Sequence, residues 1–573
     1  MRFALLAGAL LFVIPASGQG APEVGDCAPG TAEGFLENAG ARAPLYTSGR
    51  LFWDPAPGTD TGTYEVPRGG GVSAAFTMSL WVAGLADPDG DGVGDLWPDL
   101  RFSGSTYANA EYWPGPLAAD GGPPSAEACA AADRIWRVTL ADVAAYNASG
   151  IATADLLEWP VHLGAPVVDG DGEPDNYSLA GGDRPAILGD ETAWWVMNDR
   201  GNAHLWAGKR PLGIEVRVTA FSVSEAYGRV RLGMGATEAA DNHHATFYRY
   251  AFTRRGGEPL VDAYVGFFVD GDIGNHRDDA IASYPQRGLA YTYNALAQDS
   301  LYGAAPPAAG LGVLRGVVES KMSSMMPLLT TTGPVADIGI PDRGLEGYRM
   351  LQGIWRDGVP MTVGGDGYNP GSTQFTRYGY SGLPPNYWSL LNADGRGTPQ
   401  RPTDVRFLAS SGPFTLPPDT TVTVDVAYLW ARSDLGHLPS VYRLVQEAAP
   451  ASVLVPFAPD PDLATILPSD LPRLPEGGEP PVIPARAGLA ASAWPSPASG
   501  RTVVRYDLAA EAEVRLDVVD ALGRVVAVLA EGTLGPGERR AEVDVRGWAP
   551  GLYVYRLRLG GRMAGTGRLL VVR

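Results

Sequence analysis

Residues 213–221 read Gly-Ile-Glu-Val-Arg-Val-Thr-Ala-Phe. In an extended chain this alternation places Ile214, Val216 and Val218 on one face, whereas a helix would scatter them around its axis. The same period of two returns at 246–252 (Thr-Phe-Tyr-Arg-Tyr-Ala-Phe), at 263–269 (Ala-Tyr-Val-Gly-Phe-Phe-Val) and at 420–430. Residues 72–82 mix alternation with a continuous apolar run. Gly256-Gly257 separates the second and third of these segments and predicts that they form a hairpin. Helical spacing is rarer, with 139–146 and 440–448 the better examples; the latter carries Val441, Leu444 and Val445. The pattern predicts a mainly β chain with a large β-sandwich-like body that carries insertions.

Composition supports that reading. The 573 residues exceed one ordinary domain, and 45% are hydrophobic against 19% charged, which supplies a core and excludes a disordered acidic chain. The 74 glycines and 49 prolines, roughly a fifth of the chain, have no three-residue period, so collagen is excluded and a turn-rich β architecture favoured. The net charge of −20 argues against nucleic acid and against an anionic membrane surface as partner.

Four segments are expected. Arg2, an apolar run from Phe3 to Ile14 and small residues at Ala16 and Gly18 read as a secretory signal peptide over 1–18. The run is too short for the ~20 residues of a membrane span. A β-rich body follows over 22–450. Ten prolines between 450 and 487 predict an extended linker at 451–487. A C-terminal module occupies 488–573. It holds 12 arginines against 9 acidic residues, a net of +3, so the rest of the chain carries −23. Cys27 and Cys129 are the only cysteines. In an oxidising compartment they are candidates for a disulfide, and as a pair they are too few for a four-cysteine zinc site.

The C-terminal module alternates throughout, at 503–508, 514–518, 524–528, 541–545, 552–557 and 569–572, with glycines at the turns. This predicts a small Ig-like sandwich of six or seven strands. Its motifs W-P-S-P (494–497), V-D-A-L-G-R-V-V (519–526) and A-P-G-L-Y-V-Y-R-L (549–557), in that order, resemble the type A C-terminal sorting domain of type IX secretion cargo. Ser496 stands where that family usually has Asn, and Arg573 where it more often has Lys. The resemblance implies a route. The signal peptide takes the chain across the inner membrane, and the folded module then addresses it to an outer-membrane secretion translocon. The processing machinery usually removes the module, and the body is released or attached to surface lipopolysaccharide. The body's own segments, among them E-Y-W-P-G-P-L (111–117), G-D-E-T-A-W-W-V-M-N-D (189–199) and Y-V-G-F-F-V-D-G-D-I-G-N (264–275), resemble a group of large exported bacterial proteins with the same sorting domain. That second resemblance implies no reaction.

The sharpest chemical motif is Asp87-Pro-Asp89-Gly-Asp91-Gly-Val93-Gly-Asp95. Carboxylates at positions 1, 3, 5 and 9, Gly at 6 and the carbonyl of Val93 at 7 fit a calcium loop, because alternate residues of a tight loop converge on one point. Pro98 stands where the bidentate Glu belongs, and a solvated acidic turn fits the same residues. Asp270, Asp272, Asp278 and Asp279, with Asn275 among them, repel one another unless a cation is present, so calcium is expected there too. Asp169, Asp171, Glu173 and Asp175 read as a solvated turn.

Enzyme signals are poor. H-E-x-x-H and G-x-S-x-G are absent, and the six histidines are scattered. His243 and His244, neighbours on an expected strand, should point to opposite faces. A paired-carboxylate glycosidase would draw on Asp199, Asp270 and Asp272. The body's many Trp and Tyr, among them Trp194, Trp195, Tyr248, Tyr250, Trp355, Tyr378, Tyr380 and Trp388, would make platforms for a surface glycan, although core filling is the more common use of such residues. The expected role is structural, adhesive or binding at the cell surface or outside it. The alternative is a secreted hydrolase acting on polysaccharide.

Overall fold

The computed structural model describes residues 24–571, except 38, 54–61, 88–94, 101–110, 174–175, 205–210, 236–238, 241, 318–320, 330–340, 342–343, 401–403, 455–456, 461, 474–492, 495–497, 499, 509–511, 520–524, 536, 550 and 560–561. The expected signal peptide therefore lies outside the described residues. The chain divides into two compact units at Arg473/Leu474.

The first unit is built on two antiparallel sheets. One has eight strands, in the order Glu33–Leu36, Ala43–Tyr46, Arg50–Leu51, Thr77–Ala86, Leu260–Asp270, Val405–Leu416 and Ser324–Leu329, with Asp95–Leu100 also paired to Thr77–Ala86. The other has nine: Asp279–Tyr284, Leu289–Asn294, Ala308–Arg315, Thr421–Ala431, Thr246–Arg254, Ile214–Ser222, Glu191–Asn198 and Trp113–Pro114, with Trp136–Thr139 also on Glu191–Asn198. Their inner faces meet in one apolar core. Tyr250 of the second sheet lies 5.2 Å from Phe267 of the first, centroid to centroid, and Phe52 lies 5.2 Å from Tyr428. Each such aromatic contact adds roughly 0.5–1.5 kcal/mol beyond the area it buries.

The strands at 246–254 and 260–270 are not the hairpin expected from Gly256-Gly257. The first pairs with 214–222 and 421–431, the second with 77–86 and 405–416. Both are buried almost throughout, so each needs a neighbour on both edges and apolar cover on its face. The two glycines, at φ 65° and 74°, turn the chain from one sheet to the other instead.

Local signals set the helices. Thr139 caps Leu140–Ser149. Its hydroxyl accepts from Asp142 N at 3.1 Å while the Asp142 carboxylate accepts from Thr139 N at 2.8 Å, and Gly150 at φ 72° ends the helix. The helix expected over 440–448 runs from His437 to Leu454, with Val441, Leu444 and Ala448 fully buried. The first unit runs on to Arg473, past residue 451 where the linker was expected to begin. Leu463 and Ile466 are buried in the body core, and Asn147 Nδ2 donates to both of their carbonyls at 3.0 and 2.9 Å. Proline stiffens that stretch without preventing the apolar residues between from packing. Cys27 and Cys129 are joined, Cα to Cα 5.8 Å, and tie the N-terminal segment to the helix Ala126–Ala132.

The second unit is a seven-stranded antiparallel sandwich. Ala493–Trp494, Arg501–Leu508 and Gly537–Asp544 form one sheet. Val525–Leu534, Ala512–Val519, Gly551–Leu559 and Arg562–Val571 form the other. Val504, Tyr506, Leu516, Val518, Tyr555 and Leu557 lie in its own core.

Candidate functional site

The strand Leu260–Asp270 ends on a carboxylate directly opposite Arg406 in the register. Arg406 Nε donates to Asp270 Oδ2 at 2.7 Å, and Nη2 donates to Asp404 Oδ2 at 2.9 Å. The chain continues through Gly271, where a Cβ would come 2.2 Å from Thr292 Oγ1, so only glycine lets the turn pass this close to the facing sheet. Asp272 follows. One carboxylate oxygen from each of Asp270, Asp272 and Asp404 lies within 4.8 Å of the others. Asp270 is 3% exposed, and its Oδ1 has no hydrogen-bond partner. Asp272 and Asp404 are half-buried and open the group to solvent.

Asp279 starts a strand of the facing sheet and is fully buried. Its Oδ2 accepts from Ile273 N at 2.9 Å, whereas Oδ1 and the nearby Thr292 Oγ1 have no partner. Burial, then the charge of Asp272, pushes the Asp270 carboxyl well above the usual range. Burial does the same at Asp279, where Asp272, Asp278 and Asp299 add to it. Asp278 turns elsewhere, accepting from Asn294 Nδ2 at 3.1 Å. Of the acids singled out in this segment, the structure thus gathers Asp270 and Asp272 and adds Asp404, which sequence reading missed. Asp404 is far along the chain and carries no motif.

The Asp87–Asp95 loop connects two paired strands, Ala86 lying opposite Asp95. Asp89, Asp91 and Val93 lie outside the described residues, as does Asp175. The 169–183 segment brings Asp169, Asp171 and Asp183 together. These acids cap their own loop. Asp169 Oδ1 accepts from Gly172 N at 2.7 Å, and Asp183 accepts from Gly170 N at 2.9 Å and Ser178 N at 2.7 Å.

Asp199 is completely buried. Its two oxygens accept from Gly213 N at 2.9 Å and Ile214 N at 2.8 Å, fixing the start of the strand Ile214–Ser222. Its carbonyl meets His204 Nε2 at 2.6 Å, and His204 Nδ1 pairs with Glu111. Glu111 and His204 are single residues far apart in the chain, and nothing in the sequence pointed to their pairing. Trp194, Trp195, Tyr248, Tyr250, Trp355, Tyr380 and Trp388 are at most 2% exposed and fill the core. His243 and His244 sit in a turn before the strand Thr246–Arg254, with their rings 5.3 Å apart, and not on opposite faces of a strand.

In the C-terminal sandwich, Tyr553 OH donates back to Ala549 O at 2.9 Å, and its ring lies 4.8 Å from Trp548, holding the corner before the strand Gly551–Leu559. Asp517 is buried beneath arginines, with Arg556 Nε at 2.7 Å and Arg515 Nε at 3.4 Å.

Residues 492–571 match the family model of the secretion system C-terminal sorting domain. No curated protein matches the chain. A solved polysaccharide lyase structure aligns at 10% identity and a TM-score of 0.18, covering 63% of this chain and 34% of the lyase. The chain therefore spans about a third of that lyase, and a likeness this low carries no argument. The sorting domain makes the protein type IX secretion cargo, delivered to the outer cell surface or the extracellular space.

Proposed function

We propose that the body serves at that surface as a structural, adhesive or binding component. One observation carries this reading: two of the three carboxylates singled out for polysaccharide hydrolysis, Asp199 and Asp270, are spent inside the fold, which leaves half-buried Asp272 alone among them. Asp199 is 0% exposed and holds backbone amides, while Asp270 is 3% exposed and paired to Arg406. A glycosidase needs two carboxyl groups that both reach the sugar. The aromatic residues singled out as glycan platforms support the same conclusion, because all but half-buried Tyr378 lie in the core.

The test uses the mature secreted protein. It is incubated with envelopes of the producing cells and with a panel of polysaccharides, and retention and new reducing or unsaturated ends are both measured. Retention without turnover is expected. Sustained release of new chain ends by the purified protein would establish the hydrolase or lyase instead.

A further inference from the structure

We propose that Asp270, Asp272 and Asp404 are the protein ligands of a divalent-cation site, calcium by its chemistry, which fastens strand ends of the first sheet beside the facing sheet. The proposal does not depend on what the body binds. Calcium–oxygen distances are about 2.3–2.6 Å, so two oxygens on one ion stand at most about 5 Å apart. The three carboxylates meet that limit with oxygens within 4.8 Å.

Charge points the same way. Among the described residues Arg406 pairs with both Asp270 and Asp404, Asp272 stands beside them, and Asp279 accepts from Ile273 N close behind. Arg406 takes Asp270 Oδ2 and leaves Oδ1 buried without a partner. Asp279 Oδ1 and Thr292 Oγ1 share that condition. A buried acceptor without a donor is costly, and a cation satisfies acceptors that no hydrogen can reach. The donors are all hard oxygens, which suits calcium and disfavours zinc or copper. Half-buried Asp272 and Asp404 leave room for the waters that complete six to eight ligands.

The experiment uses the mature secreted protein carrying Asp89→Asn and Asp91→Asn, so that the 87–95 loop cannot contribute. It is stripped with chelator and titrated with calcium by calorimetry and by displacement of terbium. One saturable site is expected, at roughly 10⁻⁴–10⁻³ M as in other extracellular modules. Adding Asp272→Asn or Asp404→Asn should weaken it about tenfold or more, the loss of one charged ligand. Near-UV spectra check that these variants fold. Absence of saturable binding in the Asp89→Asn/Asp91→Asn protein overturns the site whether or not the further variants fold. Unchanged affinity in folded Asp272→Asn and Asp404→Asn proteins overturns the ligand assignment.

Discussion

Arg406 donates to Asp270 Oδ2 at 2.7 Å across the pair of strands on which the two residues stand opposite each other. The carboxylate is 5% exposed at its side chain and the guanidinium 17%, so neither is well hydrated. Arg406→Met leaves Asp270 and Asp404 without their guanidinium. Removing one partner of a buried pair costs about 3–5 kcal/mol, because an uncompensated charge stays behind. Urea unfolding of the metal-free protein should show that loss. A change below about 1 kcal/mol, the worth of an exposed pair, would mean that water solvates the site.

The second expected outcome concerns acid. His243 Nδ1 accepts from Glu225 N at 3.2 Å, at the start of the helix Glu225–Val230, and a proton there would set two donors face to face. Burial, reinforced by His244 and Arg68, holds the imidazole down to about 4 from its ordinary 6.5. The unfolded chain therefore takes the proton first on acidification. The contribution is fully present above pH 6.5 and lost as pH falls toward 4. Asp190, pushed up to about 6 by burial, works in the opposite sense, losing stability as pH rises through that value. Comparing the native protein with His243→Leu isolates the histidine: their stability difference should move steadily between pH 7 and pH 4. A difference independent of pH would refute the assignment.

Phe267 gives the third. It is 1% exposed and meets Tyr250 across the two sheets. Phe267→Ala removes a ring from the centre of the sandwich and should cost about 3–5 kcal/mol. Thermal or denaturant unfolding measures it, and a loss under about 1 kcal/mol would mean that the sheets do not meet there.

That contact also marks how far the sequence could be read. Alternation at 213–221 and 420–430 is a local property, and the strands Ile214–Ser222 and Thr421–Ala431 follow it closely. The partition of strands between sheets is not local. Two buried segments joined through Gly256-Gly257 can pair edge to edge or face each other, and only the identity of their other neighbours decides. The acidic site divides in the same way. Asp270 and Asp272 were legible as a dense run of charge, whereas Asp404 joins them through the register of a distant strand. Glu111 and His204 meet over 93 positions, with nothing in either neighbourhood to announce it.

The disulfide between Cys27 and Cys129 closes a loop of 102 positions. In the chain-entropy account a loop of that size stabilises by up to ~4.7 kcal/mol, by restricting the unfolded state. The mature protein should show no free thiol when labelled under denaturing, non-reducing conditions. Replacing both cysteines with alanine should lower the melting temperature of the body. Two reactive thiols in the native protein, or a melt unmoved by the double substitution, would contradict this.

The last prediction separates address from cargo. The C-terminal sandwich has a core of its own, and the body's core ends with residues such as Leu463 and Ile466, before the division at Arg473. Losing the first core need not disturb the second. Deleting 488–573 should therefore leave a folded body in the periplasm, because the signal peptide expected over 1–18 would still act while the outer-membrane address is gone. Leu516→Asp tests whether the address is read from the folded module. Leu516 is 0% exposed in the strand Ala512–Val519, and a carboxylate there has neither water nor a partner, so the module should unfold. Both variants should accumulate in the periplasm with the Cys27–Cys129 bridge formed. Normal surface delivery of the deleted chain would remove the module's role in sorting. Normal delivery of the Leu516→Asp chain alone would show that a linear segment is recognised in place of the sandwich.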